Sequence, residues 1–211
     1  MALLGQSDRF AQVVALSRSG SPALDITSEP SVEAAARTLA ALDRPVRLVL
    51  VAAGFLQGDG FSPEKSWREL DAAHMARAFA VNAIGPALLM KQLLPLLPRE
   101  GKSVFAVLSA RVGSIGENRL GGWYSYRASK AALNQLVRTA AVELARRRPE
   151  AICVALHPGT VATALSSPFA KTGLDVQSPD KAATRLLAVL DHLEPHHSGG
   201  FFDHRGEPIP W

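Results

Sequence analysis

Three short apolar runs limit what this chain can fold into: Val46–Ala52 (VRLVLVA), Ser103–Leu108 (SVFAVL) and Ala151–Leu156 (AICVAL). Each is almost wholly aliphatic and lacks the polar alternation of a half-exposed strand, which marks strands covered on both faces. Between them lie longer stretches with helical punctuation. Thr27-Ser28-Glu29-Pro30 places hydroxyls and then proline at the start of an alanine-rich helix reaching Leu42. Ser66-Trp67-Arg68-Glu69 has the form of a capping box. From Asp71 a helical pattern runs toward Leu97, with Pro86 positioned to bend it and Pro95 and Pro98 to end it. Gly121-Gly122 precede a helix from Trp123 to Arg147, and Ser178-Pro179-Asp180 opens a last one to Leu193. Gln12–Ser17 (QVVALS) reads as a further strand and Gly200–Asp203 as a short final one. Strands alternating with helices pair in parallel, with right-handed crossovers and helices on both faces. The expectation is an α/β fold, a doubly wound parallel sheet, forming one domain over residues 1–211. Two long connections stand out: Gly54–Pro63, and Thr160–Ser178, which is placed to act as a lid.

Hydrophobic residues make up 47% of the 211 and charged residues 20%, which excludes a disordered chain and supplies a sizeable core. No apolar run reaches the roughly 18 residues of a membrane span; Ala87–Leu97 is interrupted by Lys91 and Gln92. The opening MALLGQSDRF lacks the basic and apolar regions of a signal peptide. The single cysteine, Cys153, excludes an internal disulfide and suits a reducing compartment, so a cytoplasmic chain is expected. Its place within AICVAL reads as a buried thiol packing as a small hydrophobe. The net charge of +4 is mild, and its densest piece, Arg146-Arg147-Arg148, ends a helix where cations favour the dipole; this reads as a solvated helix end and not a nucleic-acid patch. His192 and His196 are spaced like metal ligands, but Pro195 breaks the helix between them and no third ligand is spaced to join them, so no metal is expected.

The most informative stretch is Tyr126-Arg127-Ala128-Ser129-Lys130. Residues four apart on a helix share a face. A lysine cation so placed stabilises a phenolate and draws the tyrosine pKa from about 10 toward the working range, which makes the phenol a usable general acid or base. Ligands of open α/β sheets bind at the carboxyl ends of strands. There stand Leu108-Ser109-Ala110-Arg111-Val112-Gly113-Ser114 and His157-Pro158-Gly159-Thr160-Val161-Ala162-Thr163. A serine at such a point can hydrogen-bond a carbonyl oxygen. His157 ends its strand where it faces either a pocket or a structural hydrogen bond. Asn82 lies inside the long helix, where asparagine is a poor helix former.

Together these motifs resemble the short-chain dehydrogenase/reductase family, from about Val13 to Trp211: Ala52-Ala53-Gly54, Val81-Asn82, Leu108-Ser109 with Gly113-Ser114, Tyr126 with Lys130, and Pro158-Gly159 followed by Val161 and Thr163. The endings GFFD and IPW, and the stretch GSIGENRLGGWYSYRASKAALN, are similar to the bacterial C-factor-like branch. The resemblance implies a Rossmann-like fold and an oxidoreductase that moves a hydride between NADP(H) and a carbonyl or alcohol. Tyr126 would pass the proton, Lys130 would hold the nicotinamide ribose and depress the tyrosine pKa, and Asn82 would help hold a water linked to the lysine. Ala53, Gly54, Pro158, Gly159, Val161 and Thr163 would lie along the cofactor. The slot that usually carries the catalytic serine holds Ala110, so either Ser109 or Ser114 would orient the substrate, with Ser109 preferred. The family also implies a small-molecule partner, no nucleic acid or membrane, and a homodimer through the Asp71–Leu97 and Trp123–Arg147 helices.

One family element has no counterpart. A glycine-rich turn should follow the first strand and hold the cofactor pyrophosphate, yet the first twenty residues contain only Gly5 and Gly20. The residue that reads the adenosine ribose lies about 20 positions beyond that turn, and here that place is Ser17-Arg18-Ser19, which puts the turn before Met1. The first βα unit is expected to be missing, leaving the domain incomplete at its N-terminus, with Met1 a misplaced start or the chain a fragment. The edge of Val46–Ala52 should then be open and the protein poorly stable. Arginine in place of an acid at that strand end favours NADPH over NADH, with Arg18 on the 2′-phosphate and Asp25 and Ile26 beside the adenine. The rival readings are an inactive fragment and a C-factor-like signalling or interaction protein on the same scaffold.

Overall fold

The structure is a computed structural model that describes residues 2–6, 8–163 and 176–211. Its centre is a parallel sheet of β1 (Leu48–Val51), β2 (Ser103–Leu108), β3 (Ala151–His157) and β6 (Phe201–Asp203), in the order β1-β2-β3-β6. A small parallel pair, β4 (Thr160–Val161) and β5 (Val176–Gln177), stands apart. Residues 164–175, the middle of the segment read as a lid, lie outside the described residues. The helices are α1 (Ala2–Gly5), α2 (Glu29–Ala40), α3 (Ala72–Phe79), α4 (Gly85–Leu93), α5 (Tyr124–Ala145) and α6 (Pro179–His192).

The central strands are buried on both faces because their alternate residues enter two different cores. Phe105, Val107, Ala151, Cys153 and Ala155 face a cluster completed by Val32 of α2, Leu89 and Leu93 of α4, and Leu133 and Val137 of α5. Val104, Ala106, Ile152, Val154 and Leu156 face the opposite cluster, closed by Leu186, Val189 and Leu190 of α6. This two-sided burial is the reason the runs are continuously apolar. Cys153 is fully buried, and burial pushes its thiol up to about 12, as expected of a packing residue.

Several sequence expectations are corrected. The helix expected from Asp71 to Leu97 is not a single α-helix bent at Pro86. α3 passes into a π-helical turn at Ala80–Ile84, then α4, then a 3-10 turn at Leu94–Leu96. Pro86 sits in the first turn of α4, directly after the π-helical turn. The continuous helical rod Ala72–Leu96 is long and apolar enough by composition to cross a bilayer, although no single apolar run in the sequence is. Here it supplies Ala78, Asn82, Ala83, Leu89, Met90 and Leu93 to the protein interior. Ser66 caps only a 3-10 turn, Trp67–Glu69, and Glu69 bonds back to the Lys65 N–H. α5 begins where expected, directly after Trp123, which is in a left-handed conformation.

Gln12–Ser17 forms no strand; its one ladder contact is an isolated parallel bridge from Ser17 to Ala23. A strand persists only with a row of partners along it, and among the described residues neither this segment nor any other pairs with the outer edge of β1. β1 is thus an apolar edge strand, with Leu50 36% exposed. Such edges template pairing with other chains, and a charged side chain on the edge suppresses it. Leu50→Lys is expected to lower concentration-dependent light scattering while changing the unfolding free energy by no more than about 0.5 kcal/mol. Unchanged scattering would show that the edge is not a site of self-association.

Candidate active site

The carboxyl ends of β1, β2 and β3 and the first turns of α5 converge on Lys130. Its ammonium is fully buried and donates to the Leu108 carbonyl at 2.8 Å. It lies 5.9 Å from the centre of the Tyr126 ring, one helical turn earlier on α5. Close approach of α5 to β2 depends on Gly113: a Cβ there would stand 2.8 Å from the Lys130 Cβ. Gly54, exposed after β1, leaves the lysine's other side open; a Cβ there would sit 3.8 Å from Nζ and 3.7 Å from the Asn82 Oδ1. Tyr126, Lys130, Gly54 and Asn82 are therefore brought together as the sequence suggested.

Asn82 occupies the π-helical turn and is completely buried. Its Nδ2 donates to the Phe55 carbonyl at 2.7 Å and to the Ser129 Oγ at 3.0 Å, while its Oδ1 accepts from the Phe55 N–H at 2.7 Å. The Ser129 hydroxyl in turn donates to the Tyr126 carbonyl at 2.9 Å. One side chain thus ties the loop after β1 to the first turns of α5. Both amide protons are engaged, which leaves one oxygen lone pair for water.

The expectation that the lysine lowers the tyrosine pKa is not met. Burial pushes the Tyr126 phenol up to about 12, and it likewise pushes Lys130 down to about 8. Desolvation acts on both groups, and the lysine cation is directed at the Leu108 carbonyl and not at the phenol oxygen.

The two serines are placed differently from one another. Ser109 is buried and donates to the Asn134 Oδ1 at 2.7 Å; Asn134 in turn donates to the Gly113 carbonyl at 3.4 Å. The Ser114 oxygen accepts from the Glu117 N–H at 3.2 Å, as a turn cap. Both hydroxyls are engaged with the protein, and neither is shown bonded to Tyr126. Asn134 was missed by sequence reasoning, although Tyr126, Lys130 and Asn134 recur every four residues and so share one face of α5.

The remaining predicted positions divide into two regions. Pro158, Gly159, Val161 and Thr163 follow β3. Gln177 donates to the Pro158 carbonyl at 2.7 Å, and Gly159 has a φ of +78°, where a side chain would be strained and would collide with Gln177 and His204. His157 is neutral at physiological pH, pushed down to about 4 chiefly by burial. Ala53 is half-buried after β1. Arg18 and Asp25 are exposed. Asp25 accepts from the N–H and hydroxyl of Thr27, which hold its carboxyl below the usual range, with Arg18 adding to the effect. Ile26 packs on Gly85 at the start of α4, where a Cβ would come within 2.9 Å of it. His192 bonds the Ala188 carbonyl through Nδ1, and the His197 Nδ1 accepts from the Glu194 N–H, so these rings serve local helix ends.

Residues 3–187 match the family model described as enoyl-(acyl carrier protein) reductase. The chain belongs to the short-chain dehydrogenase/reductase family. Among curated relatives of this short-chain dehydrogenase/reductase, C-signal of Myxococcus xanthus is 42% identical over 144 residues, covering 68% of this chain and 82% of the relative. A 1-hydroxy-2-glutathionyl-2-methyl-3-butene dehydrogenase of Rhodococcus sp. (strain AD45) is 34% identical over 190 residues, covering 90% and 79%. Among solved structures, the NADPH-bound carbonyl reductase from chicken fatty liver superposes with a TM-score of 0.78 at 27% identity, covering 90% of this chain and 76% of that one. The Rossmann-like parallel sheet is therefore shared with its relatives.

A buried cation gives this short-chain dehydrogenase/reductase a stability signature. Lys130 binds its proton less tightly in the folded chain than at its ordinary 10.5. Below about pH 8 the fold bears the cost of burying the charge, and between about 8 and 10.5 the unfolded chain holds more protons, so stability rises with pH through that window. The cost is on the order of 3 kcal/mol at 1.36 kcal/mol per pH decade. Lys130→Met is expected to melt higher than the parent at pH 7, with the difference shrinking as the pH approaches 10. A variant that melts lower at pH 7 would contradict a net burial cost.

Proposed function

We propose that this chain is an NADP(H)-dependent carbonyl reductase or alcohol dehydrogenase in which Tyr126 is the general acid/base. The observation that carries this reading is the pairing of Tyr126 with a fully buried Lys130 ammonium at the carboxyl ends of the parallel strands, open toward Gly54. That lysine makes one hydrogen bond among the described residues, to Leu108, and an ammonium has three protons to donate. Two donors on a desolvated cation suit the vicinal hydroxyls of a ribose. The nicotinamide end of the cofactor therefore fits residues present here: Lys130 for the ribose, with Ala53, Gly54, Pro158, Gly159, Val161 and Thr163 around it. Arg18 provides a cation, next to Asp25, for the 2′-phosphate of NADP(H). The NADPH carried by the chicken carbonyl reductase supports the same choice. When bound, the cofactor supplies or accepts the hydride.

The chain's own groups explain a direction. A phenol held at about 12 is fully protonated at neutral pH, so it is loaded to donate to a carbonyl oxygen. The opposite reaction needs the phenolate, which is costly until a charge nearby stabilises it. Lys130 must carry its proton to bind and to assist, so activity in the reductive direction depends on the lysine remaining charged. With neither serine shown free of protein partners, Tyr126 carries the orientation of the substrate oxygen together with Ser109 or Ser114 after a change of partner. Pairing of two copies through the helical rod and α5 is consistent with exposed Ile84 and Val142.

The identity with C-signal favours a second reading, an interaction or signalling role on the same scaffold. Tyr126→Phe distinguishes the two. Under the enzymatic reading it lowers reduction of a panel of aldehydes and ketones by 10²-fold or more while leaving NADPH fluorescence titrations within a factor of about two. NADPH is expected to bind at least tenfold more tightly than NADH, and Arg18→Ala to erase that difference. The kcat/KM for reduction should fall as the pH rises past about 8, where Lys130 loses its proton. Reduction that persists in Tyr126→Phe would remove the tyrosine from the mechanism.

A further inference from the structure

Glu64 is a carboxylate in the connection after β1, 2% exposed, and nothing in the proposed chemistry uses it. It stands at the amino end of α5. That helix has a weak start of its own: Trp123, in the N-cap position, has φ 53°, forms no side-chain cap, and follows two glycines that are also left-handed, each at φ 64°. The first N–H groups of a helix need acceptors from somewhere. Here Glu64 supplies them from a distant part of the chain. Its Oε2 accepts from the Ser125 N–H at 3.2 Å, its Oε1 accepts from the Ser125 hydroxyl, and its main-chain carbonyl accepts from the Trp123 N–H. The close contact of Gly122 with the Glu64 carbonyl, 3.4 Å from a notional Cβ, fits the same approach.

The carboxylate is itself held in place. His74 of α3, 3% exposed, places Nδ1 3.2 Å from the Glu64 Oε1. The His74 ring is fixed from both sides, stacked on Phe61 at 5.0 Å and edge-on to Phe55 at 6.0 Å. Phe55 is the residue whose backbone Asn82 binds. A negative group at a helix amino terminus is favoured by the helix dipole, and more so when water is excluded.

We infer that Glu64 is a positioning residue for Tyr126: by capping the first turn of α5 from outside it sets where the tyrosine, next in sequence to Ser125, stands relative to Lys130. The Ser125 N–H and O–H approach different oxygens of the carboxylate. Glutamine at this position keeps the shape but removes the negative charge that the helix amino terminus and its dipole favour.

The inference rests on the reading of Tyr126 as the proton-transfer residue, yet its test reads position and not turnover. The chain has two tyrosines, so Tyr124→Phe leaves Tyr126 as the sole phenol. In that background, absorbance at 295 nm follows Tyr126 alone, with circular dichroism reporting that the fold persists at each pH. Glu64→Gln is expected to displace the ring and so move its ionisation away from about 12. Amide hydrogen exchange over residues 122–129 should accelerate at least tenfold, while peptides from β2 and β3 change less than twofold. Should Glu64→Gln fail to fold, Ser125→Ala, which removes only the hydroxyl bond, is expected to show the same localised change at smaller size. Unchanged Tyr126 ionisation, unchanged exchange over 122–129, or acceleration spread evenly over the whole protein would each overturn the inference. If the ring does shift but Tyr126→Phe still reduces carbonyls, the reading of Tyr126 as the proton-transfer residue fails and the role of Glu64 in placing the ring stands.

Discussion

Burying the Lys130 ammonium beside the end of β2 is the constraint on which the arrangement of the site depends. An unpaired cation in a protein interior is disfavoured by several kcal/mol unless hydrogen bonds replace its water. Here one acceptor does so, the carbonyl that ends the central strand, and that bond fixes where α5 meets the sheet. Gly113 permits the approach, Gly54 keeps the other side open, and Tyr126 follows because it lies one turn earlier on the same helix face. A fold that bears this cost without a ligand would be better served by methionine.

Around the cation, buried polar side chains perform the positioning that apolar packing cannot. Asn82 fastens the loop after β1 to α5 by three hydrogen bonds, and it does so from a π-helical turn whose widened ladder turns an interior residue toward its neighbour. Glu64 fastens the same connection to the amino end of α5 a few residues further on. The Gly54–Pro63 connection is irregular in sequence, yet it is anchored at both ends to the helix that carries the tyrosine.

The outer edge of β1 is the counterpart of this order. Gln12–Ser17 keeps a strand-like composition but forms only one bridge, because a β-ladder is stabilised pair by pair and no row of partners is present among the described residues. Arg18 and Asp25 are consequently placed by short turns and not by a sheet. Lys130 is held on α5, whereas Arg18 and Asp25 stand on exposed loops.

Much of this was legible in the residues. The unbroken apolar runs of β2 and β3 predicted two-sided burial, since only a strand with a helix layer on each face can bury every side chain, and Tyr126 and Lys130 were adjacent by helical spacing alone. Asn82 was visible as a polar residue out of place in a helix. The sequence by itself determined the three central strands, their double covering by helices and the tyrosine–lysine pair, because these follow from periodicities of two and 3.6 residues along a single segment. Tertiary structure alone decided the rest: that burial raises Tyr126 and lowers Lys130, that Ser109 is bonded to Asn134, that Glu64 caps a helix some sixty residues away, and that Gln12–Ser17 is not a strand. Desolvation, long-range hydrogen bonding and strand pairing depend on what surrounds a residue in space, and no local pattern encodes that.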